Sequence, residues 1–366
     1  MPVTVLSAGD SLPTRASALE IGWQIRGERP DQVIVAFEVA GERAAVHVQH
    51  IGPQNLLLTG WSEAVALVAR PTVPGAVFVD GVGLDVQITV RSDNVSGDQI
   101  VLPPFDVSST RAAHLLTVTP AGDGCIVAVS SSAGSPAARL DPGSLVQRAA
   151  WSARRQSGTQ TLPDHLRRTV SVAVDQSASM LPHHRSGAVQ SLLEMLFGVN
   201  LLCGTAEAVP VWSLESPPRR LSRSLDRTTV LGYADAELSR GPFSSGSTLA
   251  PLIEQIDRSG TGDACVVMTD GVPADLDAVT TALSARTRPV TWHLLAIATG
   301  PDDPAVQTEP WRDELRALGP AVRAGFLTVA SVSPGGEPGW LADDLTSADR
   351  LDLVVGALGL TSGDRR

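Results

Sequence analysis

Two short apolar runs in the second half of the chain, residues 169–174 and 264–268, each give way to an aspartate, Asp175 and Asp270. Runs this short and this rich in valine read as strands buried on both faces. Between them the apolar residues switch to helical spacing. Val189, Leu192, Leu193, Leu196 and Val199 mark a helix over 186–202, with Gly204 as its stop. Further strands are expected at 209–214, 290–298 and 325–330, with a short antiparallel one at 219–225. Helices are expected at 249–256, 274–285, 311–318 and 347–358. Strands alternating with helices call for a mostly parallel central sheet, because parallel neighbours need a crossover that covers the sheet faces. The expected class for residues 166–366 is α/β.

Residues 1–150 have a different rhythm. β-Rich runs at 19–25, 32–39, 44–51, 76–79, 84–90, 113–119 and 125–130 are separated by Gly, Pro, Asp and Asn. Short strands at regular spacing predict an all-β, sandwich-like domain. Only 61–69 carries helical spacing. Residues 134–143 are turn-rich, 144–155 fit a short helix, and 156–163 are polar and rich in breakers. The expected organisation is a β domain over 1–150, a linker over 151–165 and the α/β domain over 166–366.

The totals narrow the function. The net charge of −11 argues against nucleic acid, whose backbone is bound by basic surface. The chain contains no lysine, so all 28 Lys+Arg residues are arginine. A phosphate loop ending in G-K-[ST] and a lysine Schiff base are thereby excluded. Cys125, Cys203 and Cys265 are widely spaced and odd in number, which suits a reducing compartment and buried thiols. The N-terminal residues lack a signal-peptide pattern, and no apolar run approaches the ~20 residues of a membrane span. The expectation is a cytoplasmic protein with no membrane segment.

The candidate site lies where the strands end. Asp175-Gln-Ser177-Ala-Ser179 places an acid and two hydroxyls at alternate positions, and Thr248 follows Gly246-Ser247 just before a helical pattern. Asp270-Gly271 ends the second apolar run. Ligands of open α/β sheets bind outside the carboxyl ends of the strands, which brings Asp175 and Asp270 together. Carboxylates and hydroxyls are hard oxygen donors suited to Mg2+, and also to Mn2+ or Ca2+. Gly246 and Gly271 are expected to permit close backbone approach and sharp turns. Taken singly, each residue has a plainer role: Asp175, Asp270, Ser177 and Ser179 in turns or caps, Thr248 as a helix N-cap.

This set, D-x-S-x-S followed by a threonine and then an aspartate, resembles the metal-ion-dependent adhesion site of von Willebrand factor A domains. The resemblance covers roughly the second half of the chain. It implies a Rossmann-like fold, with Ser177, Ser179 and Thr248 binding the ion directly and Asp175 and Asp270 doing so directly or through water. It also implies a partner protein that supplies an Asp or Glu carboxylate to the ion. In the first half, Ala8-Gly9-Asp10-Ser11-Leu12, Leu19-Glu-Ile-Gly22-Trp23 and Gly97-Asp98-Gln99-Ile100-Val101-Leu102 resemble islands of TerD-like domains from bacterial tellurite-resistance and stress systems. The acid-rich calcium segment of those domains is replaced here by Ala36-Phe37-Glu38.

Three functions follow. One is a non-enzymatic, metal-dependent protein-binding module in a stress-response setting. Another is a metal-dependent hydrolase or phosphatase. The third is an adaptor for an ATP-driven chelatase or remodelling machine. The chain has no G-x-S-x-G, H-E-x-x-H, G-x-G-x-x-G or C-x-x-C motif, which weighs against the enzyme. His183 and His184 are adjacent, do not share a helix face, and are expected in a solvated loop. His47 and His50 fall on opposite faces of a strand and do not suit one ion. Trp212, Trp292, Trp311 and Trp340 are expected in packing roles.

Overall fold

The change from a two-residue to a helical period divides the chain into two units. One comprises Met1–Pro142 with Ser157–Thr161, the other Gly143–Gln156 with Leu162–Arg366. The computed structural model describes residues 3–27, 35–40, 46–73, 75–92, 95–130, 144–238, 243–244, 246–260, 262–271, 273–297, 318, 327–332, 345, 348–358 and 360.

The first unit is built from strands. They are β1 (Val3–Val5), β2 (Ser11–Thr14), β3 (Ala18–Arg26), β4 (Val35–Ala40), β5 (His47–Gly52), β6 (Asn55–Thr59), β7 (Val65–Pro71), β8 (Gly83–Ser92), β9 (Val95–Val101), β10 (Phe105–Asp106), β11 (Ala113–Ala121) and β12 (Gly124–Val129). One sheet runs β1-β9-β8-β3-β6-β5 with β10 beside β8, and the other runs β2-β12-β11-β7-β4. Alternate residues point inward, as the pleat requires. Leu19, Ile21 and Trp23 of β3 and Leu84, Val86 and Ile88 of β8 share one apolar core with Leu67 and Ala69 of β7, Leu116 and Val118 of β11, and Val127 of β12.

Two expectations fail in this unit. The helical spacing at 61–69 is overridden: β7 alternates buried Val65, Leu67 and Ala69 with less buried neighbours. A sheet position, once available, decides between two periods that a short window supports equally. Residues 76–79 form no strand, because the backbone of Phe78 bonds to a turn. Its N–H donates to the Thr110 carbonyl at 2.9 Å, and its carbonyl accepts from the Ser109 N–H at 2.9 Å.

The second unit contains α1 (Leu145–Ser157, its last residue counted with the first unit), β13 (Val170–Asp175), α2 (Leu181–Arg185), α3 (Ala188–Cys203), β14 (Val211–Leu214), β15 (Arg219–Arg220), α4 (Ala250–Ser259), β16 (Ala264–Thr269), α5 (Leu276–Ala285), β17 (Thr291–Ile297), β18 (Leu327–Val332) and α6 (Ala348–Leu358). Its sheet runs β15-β14-β13-β16-β17-β18. Every pairing is parallel except that of β15 with β14. The chain is thus mixed α/β, with a mostly parallel sheet flanked by helices. On one face Ala173, Cys265, Val267, Trp292 and Leu294 meet Leu252, Ile253 and Ile256 of α4 and Val279 and Leu283 of α5. The intervening Val172, Val174, Val266 and Met268 point to the opposite face and are equally buried. The expected helix at 311–318 lies outside the described residues except for Leu318, which joins this core.

Helix α1 belongs to this second unit. Arg155 bridges to Asp352 of α6 at 3.0 Å, Ser152 hydrogen-bonds the same carboxylate, and the Gln156 side-chain amide donates to the Asp352 carbonyl at 2.6 Å. Where a linker is expected at 151–165, the structure has the end of α1 and then a short stretch, 157–161, that belongs to the first unit. In that stretch Gly158 accepts from the Arg111 N–H at 3.3 Å, and Gln160 donates to the Asp106 carbonyl at 2.7 Å.

The three cysteines are buried free thiols, and burial pushes Cys125 up to about 11 and Cys203 up to about 12. Trp212 and Trp292 are core residues, while Trp311 and Trp340 lie outside the described residues. Among the described residues, no single helix is long and apolar enough to cross a membrane.

Candidate metal centre

Strand β13 has β14 on one side and β16 on the other, so the connections beyond its carboxyl end diverge. Such a switch point opens a crevice. Asp175 is the last residue of β13, and Asp270 directly follows β16.

Four of the five expected residues form one hydrogen-bonded chain there. Asp175 is only 1% exposed. Its Oδ1 accepts from the Ser177 N–H at 2.7 Å, and its Oδ2 accepts from the Thr269 hydroxyl at 2.7 Å. Ser177 and Ser179 are joined hydroxyl to hydroxyl at 2.9 Å, and Ser179 donates to Asp270 Oδ1 at 3.1 Å. Thr269 was not expected from sequence. Its bond to Asp175 ties the end of β16 to that of β13, and its hydroxyl also bonds the nearby Gly271 carbonyl at 2.9 Å.

Thr248 makes no hydrogen bond to this chain, but its loop is pinned on both sides. The Ser244 N–H donates to the Gln176 carbonyl at 2.7 Å, and the Ala178 N–H donates to the Ser244 carbonyl at 2.8 Å. On the other side, the Ala274 N–H donates to the Ser247 carbonyl at 3.2 Å. Thr248 does not cap α4. That role falls to Asp275, whose two carboxylate oxygens accept from the N–H groups of Leu249 and Ala250 at 2.9 and 2.8 Å. A carboxylate at a helix start satisfies orphan donors and complements the dipole. Asp275→Ala should therefore destabilise the protein by about 1–2 kcal/mol, the usual worth of a lost N-cap, as read by denaturant unfolding.

The hydroxyl of Thr248 is buried and has no hydrogen-bond partner among the described residues. A buried hydroxyl left unpaired costs about 1–3 kcal/mol, so one on a loop bonded to the backbone of Gln176 and Ala178 is a structural reason to expect a further ligand. The donor set consists entirely of hard oxygens, and it fits a small divalent cation. Among the described residues, no group of three or more His, Cys, Asp or Glu could hold a metal. Any ion here would rest on hydroxyls as much as on carboxylates.

The electrostatics agree with that donor set. Burial raises the Asp270 carboxyl above its ordinary range, and the nearby Asp175 charge adds to the effect against the opposing bond from Ser179. A carboxyl that ionises less readily in the folded state loses stability as pH rises through that interval, and the loss is complete above it. In a chelator, Asp270→Asn should therefore be more stable than the parent at neutral pH. That advantage should disappear at about pH 4, near the ordinary carboxylate value. Paired thermal melts at the two pH values give the comparison.

Two expectations about the surroundings are corrected. Gly246 and Gly271 are not in the left-handed region, and a Cβ at either would meet nothing within 4 Å. Neither close packing nor a special turn demands glycine there, so both leave open space beside the cluster. His183 and His184 are not solvated: both are buried in α2, at 3% and 6% exposure. The short helix begins directly after Met180 and brings the His184 ring to the Gln176 side chain, just past the end of β13. In contrast, His47 and His50 are exposed on β5.

Compared with known proteins, the chain matches no family model and no curated protein.

Proposed function

We propose that the second unit is a von Willebrand factor A-type domain that binds Mg2+ and docks a partner protein through an Asp or Glu carboxylate, without catalysing a reaction. The observation that carries this reading is the linked Asp175–Ser177–Ser179–Asp270 chain, together with the buried, partnerless Thr248 hydroxyl on the loop whose Ser244 is bonded to the backbone of Gln176 and Ala178. The sheet order, with an antiparallel edge strand and both acids at carboxyl ends, supports it. On this reading Ser177, Ser179 and Thr248 hold the ion, and Asp175 and Asp270 neutralise it directly or through water. When bound, Mg2+ supplies concentrated positive charge that attracts a carboxylate; Mn2+ or Ca2+ would serve the same donors less specifically. Exposed Ser179 and Gly246 leave the mouth of the crevice open to a partner. The first unit is read as a TerD-like β-sandwich, a second interaction module, and the whole as part of a bacterial tellurite-resistance or stress-response system in the cytoplasm.

Thr248→Val tests the reading because its two effects have opposite signs. Removing an unpaired hydroxyl should leave the chelated protein equally or more stable, by up to about 1 kcal/mol, while weakening Mg2+ binding. Saturating Mg2+, about 100-fold above its Kd, should stabilise the parent by about 2.7 kcal/mol. That corresponds to a Tm rise of about 5–10 °C at roughly 2–4 °C per kcal/mol. The valine variant should lose most of that rise. No response of the parent to Mg2+, Mn2+ or Ca2+ would end the metal reading. Turnover of phosphate esters by the pure protein, lost in Ser179→Ala, would replace binding with hydrolysis.

A further inference from the structure

We propose that His184 is a positioning residue for the oxygen cluster: its ring braces the loop that carries Ser177 and Ser179 against the loop that leads to Thr248. The inference rests on the cation reading above and adds a side chain that contributes no ligand.

His184 touches both loops at once. Its Nε2 lies 3.3 Å from the side-chain nitrogen of Gln176, in hydrogen-bond contact. Its ring meets Phe243 edge-on, with centroids 5.4 Å apart and planes at 70°. Gln176 sits between Asp175 and Ser177, and Phe243 directly precedes Ser244. The backbones of these two segments are already bonded, through Ser244 N–H to the Gln176 carbonyl and Ala178 N–H to the Ser244 carbonyl. Backbone bonds fix how far apart the two segments lie, but leave them free to tilt about the shared ladder. A ring wedged against a side chain from each segment removes that freedom.

The chemistry suits a brace rather than a ligand. His184 and Gln176 are both almost fully buried. The Nε2 ring nitrogen of His184 is engaged with Gln176 rather than with the oxygen cluster. Residues that orient ligands from behind commonly control metal affinity as strongly as some ligands do.

The test is titration calorimetry with Mg2+ alone on the full chain, alongside melts in EDTA. His184→Ala should weaken Mg2+ binding by about 10–100-fold, the usual effect of losing an orienting partner. His184→Phe keeps the ring against Phe243 and His184→Gln keeps a bond to Gln176, and at least one should recover part of the lost affinity. A parent that binds Mg2+ beside a His184→Ala variant within about twofold of it would overturn the brace while leaving the cation site standing. A loss that neither Phe nor Gln recovers would also overturn it, by pointing to general damage beneath the site. If His184→Ala does not fold, the Phe and Gln variants decide: a loss of about tenfold in one with a smaller loss in the other supports the brace, and any other outcome overturns it. A parent that binds no Mg2+ removes the proposed function itself, and the brace with it.

Discussion

Gly198→Ala should lower the unfolding free energy by about 2 kcal/mol, although alanine is the better helix former. A Cβ at Gly198 in α3 would lie 2.2 Å from the Val146 carbonyl oxygen and 2.8 Å from the Ala149 Cβ, both on α1. The first contact is with backbone, which has no rotamer to change. The helices would have to separate, and overpacking of this kind costs about 1–3 kcal/mol or more. In a helix with room, the same substitution would instead stabilise by about 1 kcal/mol. The sign of the change therefore reports whether α1 is seated on α3. Denaturant unfolding should show a lower midpoint with an unchanged slope. An increase in stability would mean that the two helices do not touch there.

The second large effect concerns Asp175. Asp175→Ala removes the acceptor for both the Ser177 N–H and the Thr269 hydroxyl, in a position with almost no access to water. The Ser177 N–H is left without a partner, whereas the Thr269 hydroxyl still bonds the Gly271 carbonyl; one buried donor left unpaired costs about 1–3 kcal/mol, and a loss of that size is expected in a chelator. In Mg2+ the gap between parent and variant should widen by whatever the ion contributes to the parent. A gap of equal size in both buffers would make the carboxylate purely structural and remove it from the proposed ligand set. Asp175→Asn keeps one acceptor oxygen and should recover part of the chelator-state loss but not the Mg2+ response.

Much of the second unit is legible in the sequence because its signals are local. Strands buried on both faces show as apolar runs, and β13, β16 and β17 fall within a residue or so of where the pattern puts them. Likewise α3 and α6 follow their helical spacing. The acids and hydroxyls at the strand ends are legible for the same reason. What is not legible depends on distance along the chain. Asp275 serves donors at Leu249 and Ala250, and Thr269 serves an acid that lies far earlier in the sequence. Neither relation leaves a periodic trace. Two adjacent histidines near polar residues look solvated until a five-residue helix buries both of them. The 144–155 helix is legible as a helix, but its attachment to α6 is set by Asp352, near the other end of the chain.

The chain passes between its two units three times, after Pro142, after Gln156 and after Thr161. Cleavage near residue 142 would therefore yield two polypeptides on a denaturing gel that still elute together from a sizing column. The later fragment would retain 157–161, held in the first unit through Arg111 and Asp106. By the same connectivity, a fragment starting at 166 would lack α1, stranding Asp352 without Arg155 and baring the surface around Gly198. Dissection of this protein into working halves has to follow the interleaving of its threads rather than a single cut.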